Sequence, residues 1–171
     1  MKRYSIVVVL CFMMASTAVR AQKSGPSVGL GADFAFPQNN FGNNASYGVG
    51  PSILFQNGIS KNLNYTINVA YLKFNGDGVF ANVKYREAFV PIKAGLRYFF
   101  SEYIYGAGEA GISISSANGS GSGTAFAYAP TIGVEFPVSN RGSIDAGVRY
   151  EGWSRSNGTR SFIGLRAGYN F

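Results

Sequence analysis

The sequence contains no histidine and a single cysteine, Cys11, among its 171 residues. Without an imidazole, the chain cannot supply the base of a histidine-dependent catalytic triad, the usual histidine ligands of a metal, or a switch that titrates near neutral pH. A single cysteine excludes a disulfide bond within the chain. These absences predict a protein without a metal site or a cofactor.

Charged residues are also scarce, at 13% of the chain, which is well below the share expected on the surface of a soluble domain. Aromatic residues reach 15%, and glycine occurs 23 times. This composition indicates a chain that does not face water on all sides.

The first 21 residues have the features of a cleaved secretory signal. A basic start precedes an apolar run over residues 6–15, which is too short for a spanning helix, and small residues precede a cleavage site after Ala21. We expect residues 1–21, with Cys11, to be removed and residues 22–171 to form one domain; a retained anchor is the alternative. Three of the 15 basic residues leave with the signal, and the remaining net charge of +4 is too small and scattered to indicate nucleic-acid binding.

The dominant pattern is an alternation of apolar residues with small or polar ones, which is typical of β-strands that have two different faces. At the C-terminus, for example, Leu165 and Phe171 share one face and Arg166 lies on the other. We find no convincing helical period. Eight segments of about ten residues alternate in this way: 27–36, 47–55, 63–71, 87–99, 103–115, 125–136, 143–153 and 161–171.

Short and long connections take turns between these segments. The short ones are 56–62, 100–102 and 137–142, and the four long ones, rich in Asn, Gly and Ser, are 37–46, 75–86, 116–124 and 154–160. Consecutive antiparallel strands would gather the long loops at one end of the molecule and both chain termini at the other. The pattern predicts an all-β, up-and-down barrel.

Alternation alone fits two kinds of barrel. A lipocalin-like barrel turns its apolar face inward around a ligand, whereas a transmembrane barrel turns it outward to lipid. The polar face here carries mainly small residues, which suits a narrow interior. Aromatic residues cluster near strand ends, where membrane interfaces would lie: Tyr98, Phe99, Phe100, Tyr103, Phe136, Tyr150 and Tyr169. We therefore predict an eight-stranded antiparallel transmembrane β-barrel, with a periplasmic lipocalin-like binder of small molecules as the alternative.

The polar face also carries six acidic and four basic residues, which are expected to pair across the interior because buried charges need partners. They are Asp33, Glu87, Lys93, Arg97, Glu109, Glu135, Asp145, Arg149, Glu151 and Arg166. Two of these carboxylates, such as Glu109 and Glu135, could instead form the acid/base pair of an enzyme that uses only carboxylates. Structural ion pairs are the favoured interpretation, so we predict no catalytic activity.

The last strand has a pattern that resembles the C-terminal assembly signal of bacterial outer-membrane barrels: Gly164, Leu165, Ala167, Tyr169 and Phe171. The whole predicted mature chain resembles the small eight-stranded outer-membrane proteins of the OmpA-barrel and OmpX type. Residues 90–100 resemble the fourth-strand region of the outer-membrane β-barrel domain common in Bacteroidetes. The resemblance implies a monomer in the bacterial outer membrane that the barrel-assembly machinery recognises through Phe171 and the residues before it.

Eight strands leave an interior just wide enough for side chains, so we expect a plugged, charge-paired barrel with a structural or surface-interaction role through its four long loops. The expected partners are outer-membrane lipid and lipopolysaccharide. Four basic residues near the long-loop end could bind lipopolysaccharide phosphates or remain solvated: Lys84, Arg86, Arg155 and Arg160. Two aromatic residues in the loops, Phe41 and Phe80, could make adhesive contacts or fold back onto the rim.

Overall fold

The structure, a computed structural model, describes residues 25–76, 85–115, 123–156 and 158–171. These residues form nine strands and one short helix, α1 (Asn39–Gly42). The strands are β1 (Ser27–Gln38), β2 (Tyr47–Gly58), β3 (Leu63–Ala70), β4 (Leu72–Gly76), β5 (Tyr85–Phe99), β6 (Ile104–Ser115), β7 (Gly123–Pro137), β8 (Ser143–Arg155) and β9 (Gly158–Asn170). Among the described residues, no helix has the length and apolar character needed to cross a membrane.

The strands close into a barrel in which every neighbouring pair is antiparallel. β1 pairs with β2 on one side and with β9 on the other, so the first and last strands complete the sheet. β3 and β4 lie in line between β2 and β5 and together make one of the eight strands around the barrel. The predicted fold class is confirmed.

The third barrel strand is interrupted at Tyr71, between β3 and β4. Pro51 on β2 and Pro91 on β5 lie beside this point, and a proline has no N–H to donate to a neighbouring strand. Tyr71 itself still donates its N–H to the carbonyl of Pro51 at 2.9 Å. Pro130 on β7 has a similar effect, because the pairing of β7 with β8 stops before it and resumes after it. The interruptions are local, and the strands keep their register across them.

The two faces of the sheet differ as the alternation predicts. On β1, Leu30 and Phe34 are about half exposed on the outer face, whereas Asp33 and Ala35 are fully buried on the inner face. On the other strands, most Ile and Val side chains lie outside, and the inner face carries charged and small side chains together with a buried group of aromatic ones. An apolar exterior around a polar interior is the arrangement of a membrane barrel. It does not support the lipocalin-like alternative, which requires the apolar face to line the interior.

Aromatic side chains project outward near both ends of the barrel. Tyr98, Phe100 and Phe136 are exposed near the short turns, and Phe36 and Phe126 are exposed near the longer connections. Such positions match the interfacial girdles of membrane barrels. One predicted girdle residue is placed differently: Phe99 has the inward parity of β5 and packs against the buried Tyr105, with 5.7 Å between their ring centroids.

The short turns β2–β3, β5–β6 and β7–β8 lie at one end of the barrel, and α1 lies at the other. The prediction of a fourth long loop at 154–160 is wrong. β8 and β9 continue their pairing until Arg155 faces Gly158, which leaves only two residues between them. Gly158, the first residue of β9, has a φ of +132°, a conformation that side chains with a Cβ rarely adopt, so glycine supports the turn here.

Candidate functional site in the barrel interior

The middle of the barrel contains a buried group of five charged side chains. Lys93 Nζ on β5 lies 2.7 Å from Glu151 Oε2 on β8 and 3.6 Å from Glu109 Oε2 on β6. Arg149 donates from Nε to Glu151 at 2.7 Å and forms an ion pair with Asp33 on β1. Their side chains are at most 8% exposed. Because these residues come from four strands, the group crosses the interior from one wall to another.

A second group of charges lies closer to the short-turn end. Arg97 Nη1 is 2.9 Å from Glu135 Oε2 and 2.6 Å from Asp145 Oδ2. Arg166 Nη1 contacts the other oxygen of Asp145 at 2.7 Å. Neutral donors complete the shell around Glu135, which accepts hydrogen bonds from Gln56, Ser143 and Asn170. The carboxylates are thus held by charge-assisted bonds in a site that excludes solvent.

Tyr105 packs inside the barrel against this second group. Its ring lies under the guanidinium of Arg97, with Cζ 3.8 Å from the ring centroid, and its hydroxyl is 3.3 Å from Asp145 Oδ1. A Cβ added at Gly133 would lie 2.4 Å from the Tyr105 hydroxyl. The Ala146 carbonyl oxygen would lie 2.7 Å from the same Cβ, so both the tyrosine and the neighbouring strand favour glycine at position 133.

The third charged contact lies toward the end that carries α1. Glu87 accepts hydrogen bonds from Ser115 Oγ at 2.5 Å and from the hydroxyl of Tyr85. Its cationic partner is Arg160 Nη1, at 3.0 Å. Sequence analysis placed Arg160 among the loop cations, but the extended β8–β9 hairpin brings it onto the barrel wall. Glu87 therefore pairs with Arg160, which is not among the four basic residues predicted for the barrel interior.

The remaining loop cations that sequence analysis named have different surroundings. Arg86 is exposed on β5, and Arg155 donates from Nη2 to the carbonyl of Gly123 at 2.5 Å. Lys84 and Phe80 lie outside the described residues. Among the described residues of this group of cations, Arg86 is therefore the one that is exposed on the barrel wall near the longer connections.

An aromatic cluster fills the interior above the ion pairs. Its members are all less than 5% exposed: Phe41, Phe74, Phe89, Trp153 and Phe162. The ring centroids of Phe89 and Trp153 are 4.6 Å apart, and those of Phe41 and Phe74 are 4.9 Å apart. Phe41 on α1 thus folds inward over the barrel, which excludes the adhesive alternative for this residue.

The sequence-based prediction does not include this cluster, because the aromatic residues near the strand ends are expected on the outer face. The alternation of inward and outward side chains along each strand could have predicted the cluster. Phe89 alternates in phase with Glu87 and Lys93, and Trp153 alternates in phase with Arg149 and Glu151. The indole Nε1 of Trp153 donates to Glu151 Oε1 at 2.8 Å, so the aromatic cluster and the central ion pairs form one continuous packed interior.

The geometry of the carboxylates favours ion pairs over an acid/base pair. Glu109 contacts Lys93, whereas Glu135 contacts Arg97, so the two carboxylates named as a catalytic pair belong to separate groups. Within the described ranges, no cluster of three or more acidic, histidine or cysteine residues could hold a metal ion. The interior is arranged to neutralise its own charges.

The residues of the C-terminal pattern occupy both faces of β9 at the closing seam. Leu165, Ala167 and Phe171 are exposed on the outside, and Phe171 is 59% exposed. The N–H of Phe171 donates to the carbonyl of Val28 at 2.9 Å. Gly164 lies on the inside next to Arg149, and the rings of Tyr169 and Phe171 are 4.9 Å apart. The terminal aromatic pair thus lies at the short-turn end of the barrel.

Several solved structures with a similar fold are bacterial outer-membrane barrels. Ail, the attachment invasion locus protein of Yersinia pestis, matches with a TM-score of 0.58 and 17% identity over 85% of this chain and 97% of Ail. Neisserial surface protein A matches with a TM-score of 0.61 and 23% identity over 86% of this chain and 96% of the Neisserial chain. OprG of Pseudomonas aeruginosa matches with a TM-score of 0.53 and 11% identity over 90% of this chain and 99% of OprG. At these identities, the matches show a shared fold.

The search of curated proteins finds no match to this chain. A family model, by contrast, covers almost all of it: the model of the outer membrane protein beta-barrel domain matches residues 5–171. The closed antiparallel barrel, its apolar exterior and its charged interior agree with this match. The chain therefore belongs to the outer membrane protein beta-barrel domain family.

Proposed function

We propose that this protein is an integral, monomeric component of the bacterial outer membrane with a closed interior and a structural or surface-interaction role. Residues 1–21 serve as its secretory signal, and the mature chain carries no cofactor. The contact between Lys93 and Glu151 carries the proposal, because this pair crosses the interior between β5 and β8 of a barrel whose outer face is apolar.

The contacts between interior side chains support the proposal of a closed interior. Asp33 contacts Arg149 and Lys93 contacts Glu151, so charged groups from strands on different sides occupy the middle of the barrel. Phe41 and Trp153 belong to a second layer, formed by aromatic rings, above these pairs. An eight-stranded barrel has just enough width for its side chains, so these two layers support an interior that is closed to solutes.

Planar-bilayer recordings of the purified protein test the closed interior. We expect no stable conductance, whereas reproducible steps would overturn the closed barrel. The Phe41→Ala variant serves as a control that removes a ring from the outer layer and retains every ion pair. If the ion pairs close the interior, this variant will also show no conductance.

Selective labelling tests the location and orientation. In the proposed orientation, α1 and the longer connections face the outside of the cell. Ser46 lies exposed near α1, and Ser60 lies exposed in the β2–β3 turn at the opposite end. A thiol reagent that cannot cross the outer membrane is expected to label Ser46→Cys on intact cells and Ser60→Cys only after the membrane is opened. The reverse result would contradict the orientation, and the unmodified protein controls for Cys11.

The proposed partners are outer-membrane lipid around the apolar exterior and lipopolysaccharide phosphates near the longer connections. Arg86, which is exposed on β5, and Lys84, two residues before it in the sequence, are the basic residues proposed to contact the phosphates. Ail has been determined in a phospholipid nanodisc and with the heparin analogue sucrose octasulfate. Binding of purified lipopolysaccharide should weaken in Arg86→Gln, with Arg141→Gln in the β7–β8 turn as the matched control.

We also propose that the protein is not an enzyme. Glu109 contacts Lys93 and Glu135 contacts Arg97, so each carboxylate belongs to a structural ion pair and the two do not face one another across a cleft. An activity that is lost in Glu109→Gln or Glu135→Gln while the barrel remains folded would contradict this.

A further inference from the structure

A pocket of about 300 Å³ opens above the aromatic cluster, at the end of the barrel that carries α1. Phe41, Phe89 and Trp153 line it, together with Tyr85 from the start of β5. Arg155 and Arg160 border it on the β8–β9 hairpin. The volume is at the lower end of the range for small-molecule sites, which commonly combine apolar walls with a few polar groups.

The charged side chains among the described lining residues are all positive. These described residues include two arginines and no acidic side chain. The Arg160 guanidinium lies above the rings of Phe89 and Phe41, with its Cζ 5.3 Å and 5.6 Å from their centroids. Glu87 lies outside the lining and contacts Arg160 at Nη1, while the Arg160 side chain remains 35% exposed. One pocket thus combines an aromatic floor with a cationic rim.

The arginines are held in place by other contacts. Arg155 is oriented by its bond to the Gly123 carbonyl, and Arg160 by its ion pair with Glu87. Guanidinium groups carry several donors in a planar fork that matches a carboxylate. Orienting them in advance reduces the entropy lost when an anion binds.

From this arrangement we infer that the pocket binds a small aromatic acid, with the ring against Phe41, Phe89 and Trp153 and the carboxylate at Arg155 and Arg160. The aromatic floor favours a flat ring, because offset and edge-to-face contacts between rings add to the burial of apolar area. The rim favours a negative charge at one end of the ligand. The inference goes beyond the proposed function and does not depend on the conductance of the barrel or on its orientation.

Trp153 is the only tryptophan in the sequence, so its fluorescence reports directly on the pocket. The probe is 4-nitrobenzoate, an aromatic carboxylate whose nitro group quenches indole fluorescence, added to the folded full-length chain in detergent micelles. We expect saturable quenching. The neutral analogue 4-nitrobenzyl alcohol should bind at least about tenfold more weakly because it lacks the charge-assisted contact, and acetate should not compete because it lacks the ring.

Substitutions at the rim separate pocket binding from partition into micelles. Arg155→Gln should weaken 4-nitrobenzoate binding at least about tenfold, and Arg155→Lys, which keeps the charge, should retain part of it. Arg141→Gln, in a turn at the opposite end, should bind like the wild type. Heat-dependent gel mobility shows whether each variant is folded.

Three results would overturn the inference: quenching that does not saturate, equal binding of the acid and the alcohol, or wild-type affinity in a folded Arg155→Gln variant. Competition by octanoate as strong as that by benzoate would overturn the aromatic class and assign the pocket to aliphatic acids. A failure of binding would leave the closed, membrane-embedded barrel untouched, because the bilayer and labelling experiments test that proposal separately.

Discussion

Lys93 and Glu151 are separated by 58 residues in the chain, yet Nζ and Oε2 lie 2.7 Å apart in the buried interior. The Lys93 and Glu151 side chains are 1% and 0% exposed. Glu151 also accepts hydrogen bonds from Arg149 and Trp153, so this carboxylate connects two cations with the aromatic cluster. The pair is the centre of the packed interior.

Removing one member of this pair should be costly. In Lys93→Met, Glu151 and Glu109 lose a shared cation, and the free energy of unfolding should fall by about 3–5 kcal/mol because buried charge is left uncompensated. Unfolding by urea in detergent micelles, followed by circular dichroism, measures the change. The exposed Lys61→Met is the control and should remain within about 0.5 kcal/mol of the wild type. A loss as small as that of the control would contradict a stabilising role for the pair.

Gly133, which is buried, tests the packing of the interior, and Gly108, which is exposed, serves as its control. A Cβ at position 133 would meet the hydroxyl of Tyr105, whereas one at position 108 would meet nothing within 4 Å. Gly133→Ala should therefore destabilise the barrel by about 1–3 kcal/mol, and Gly108→Ala should not. In a Tyr105→Ala background the Gly133→Ala penalty should become smaller but remain, because the added Cβ would still lie 2.7 Å from the Ala146 carbonyl oxygen. A penalty of unchanged size there would exclude the tyrosine as a cause. The same unfolding assay provides all of the values.

Phe41 should shield Trp153 at the outer end of the interior. The two ring centroids are 6.4 Å apart, and both side chains are less than 5% exposed. Phe41→Ala should lower the free energy of unfolding by about 3 kcal/mol and make Trp153 more accessible to acrylamide, measured by fluorescence quenching. Phe100→Ala, on the outer face, should leave the quenching unchanged. Equal quenching in the two variants would contradict the position of α1 over the barrel.

Phe171 should matter more for assembly in the cell than for the stability of the folded barrel. Its ring is largely exposed, and its hydrogen bond to Val28 uses only the backbone N–H, which any residue except proline can supply. Phe171→Ser should refold in detergent like the wild type, while the amount of folded protein in isolated outer membranes should fall several-fold. Phe136→Ser, at another exposed aromatic near the short turns, is the control. An equal loss in both variants would argue against a terminal recognition signal.

Several features of this protein could be predicted from short stretches of sequence. Alternation places neighbouring side chains on opposite faces of a strand, so the position of Asp33 opposite Phe34 is a local property. The same reasoning predicts inward charges such as Lys93 and Arg166. Connection lengths then predict the antiparallel order, because each strand must follow its neighbour with a turn. The error at 154–160 has the same origin, because the residue types of that stretch do not show how far β8 and β9 continue to pair.

The sequence by itself therefore determined the strands, their order, and the inward or outward direction of most side chains. Only the tertiary structure decided which charges meet, that Arg160 rather than an interior base pairs with Glu87, and that Phe41 folds inward onto Trp153. These contacts join strands or loops distant in sequence, and they depend on the register with which the whole sheet closes. No alternation within one strand carries that information, because register is a relation between strands and becomes fixed only when β1 pairs with β9.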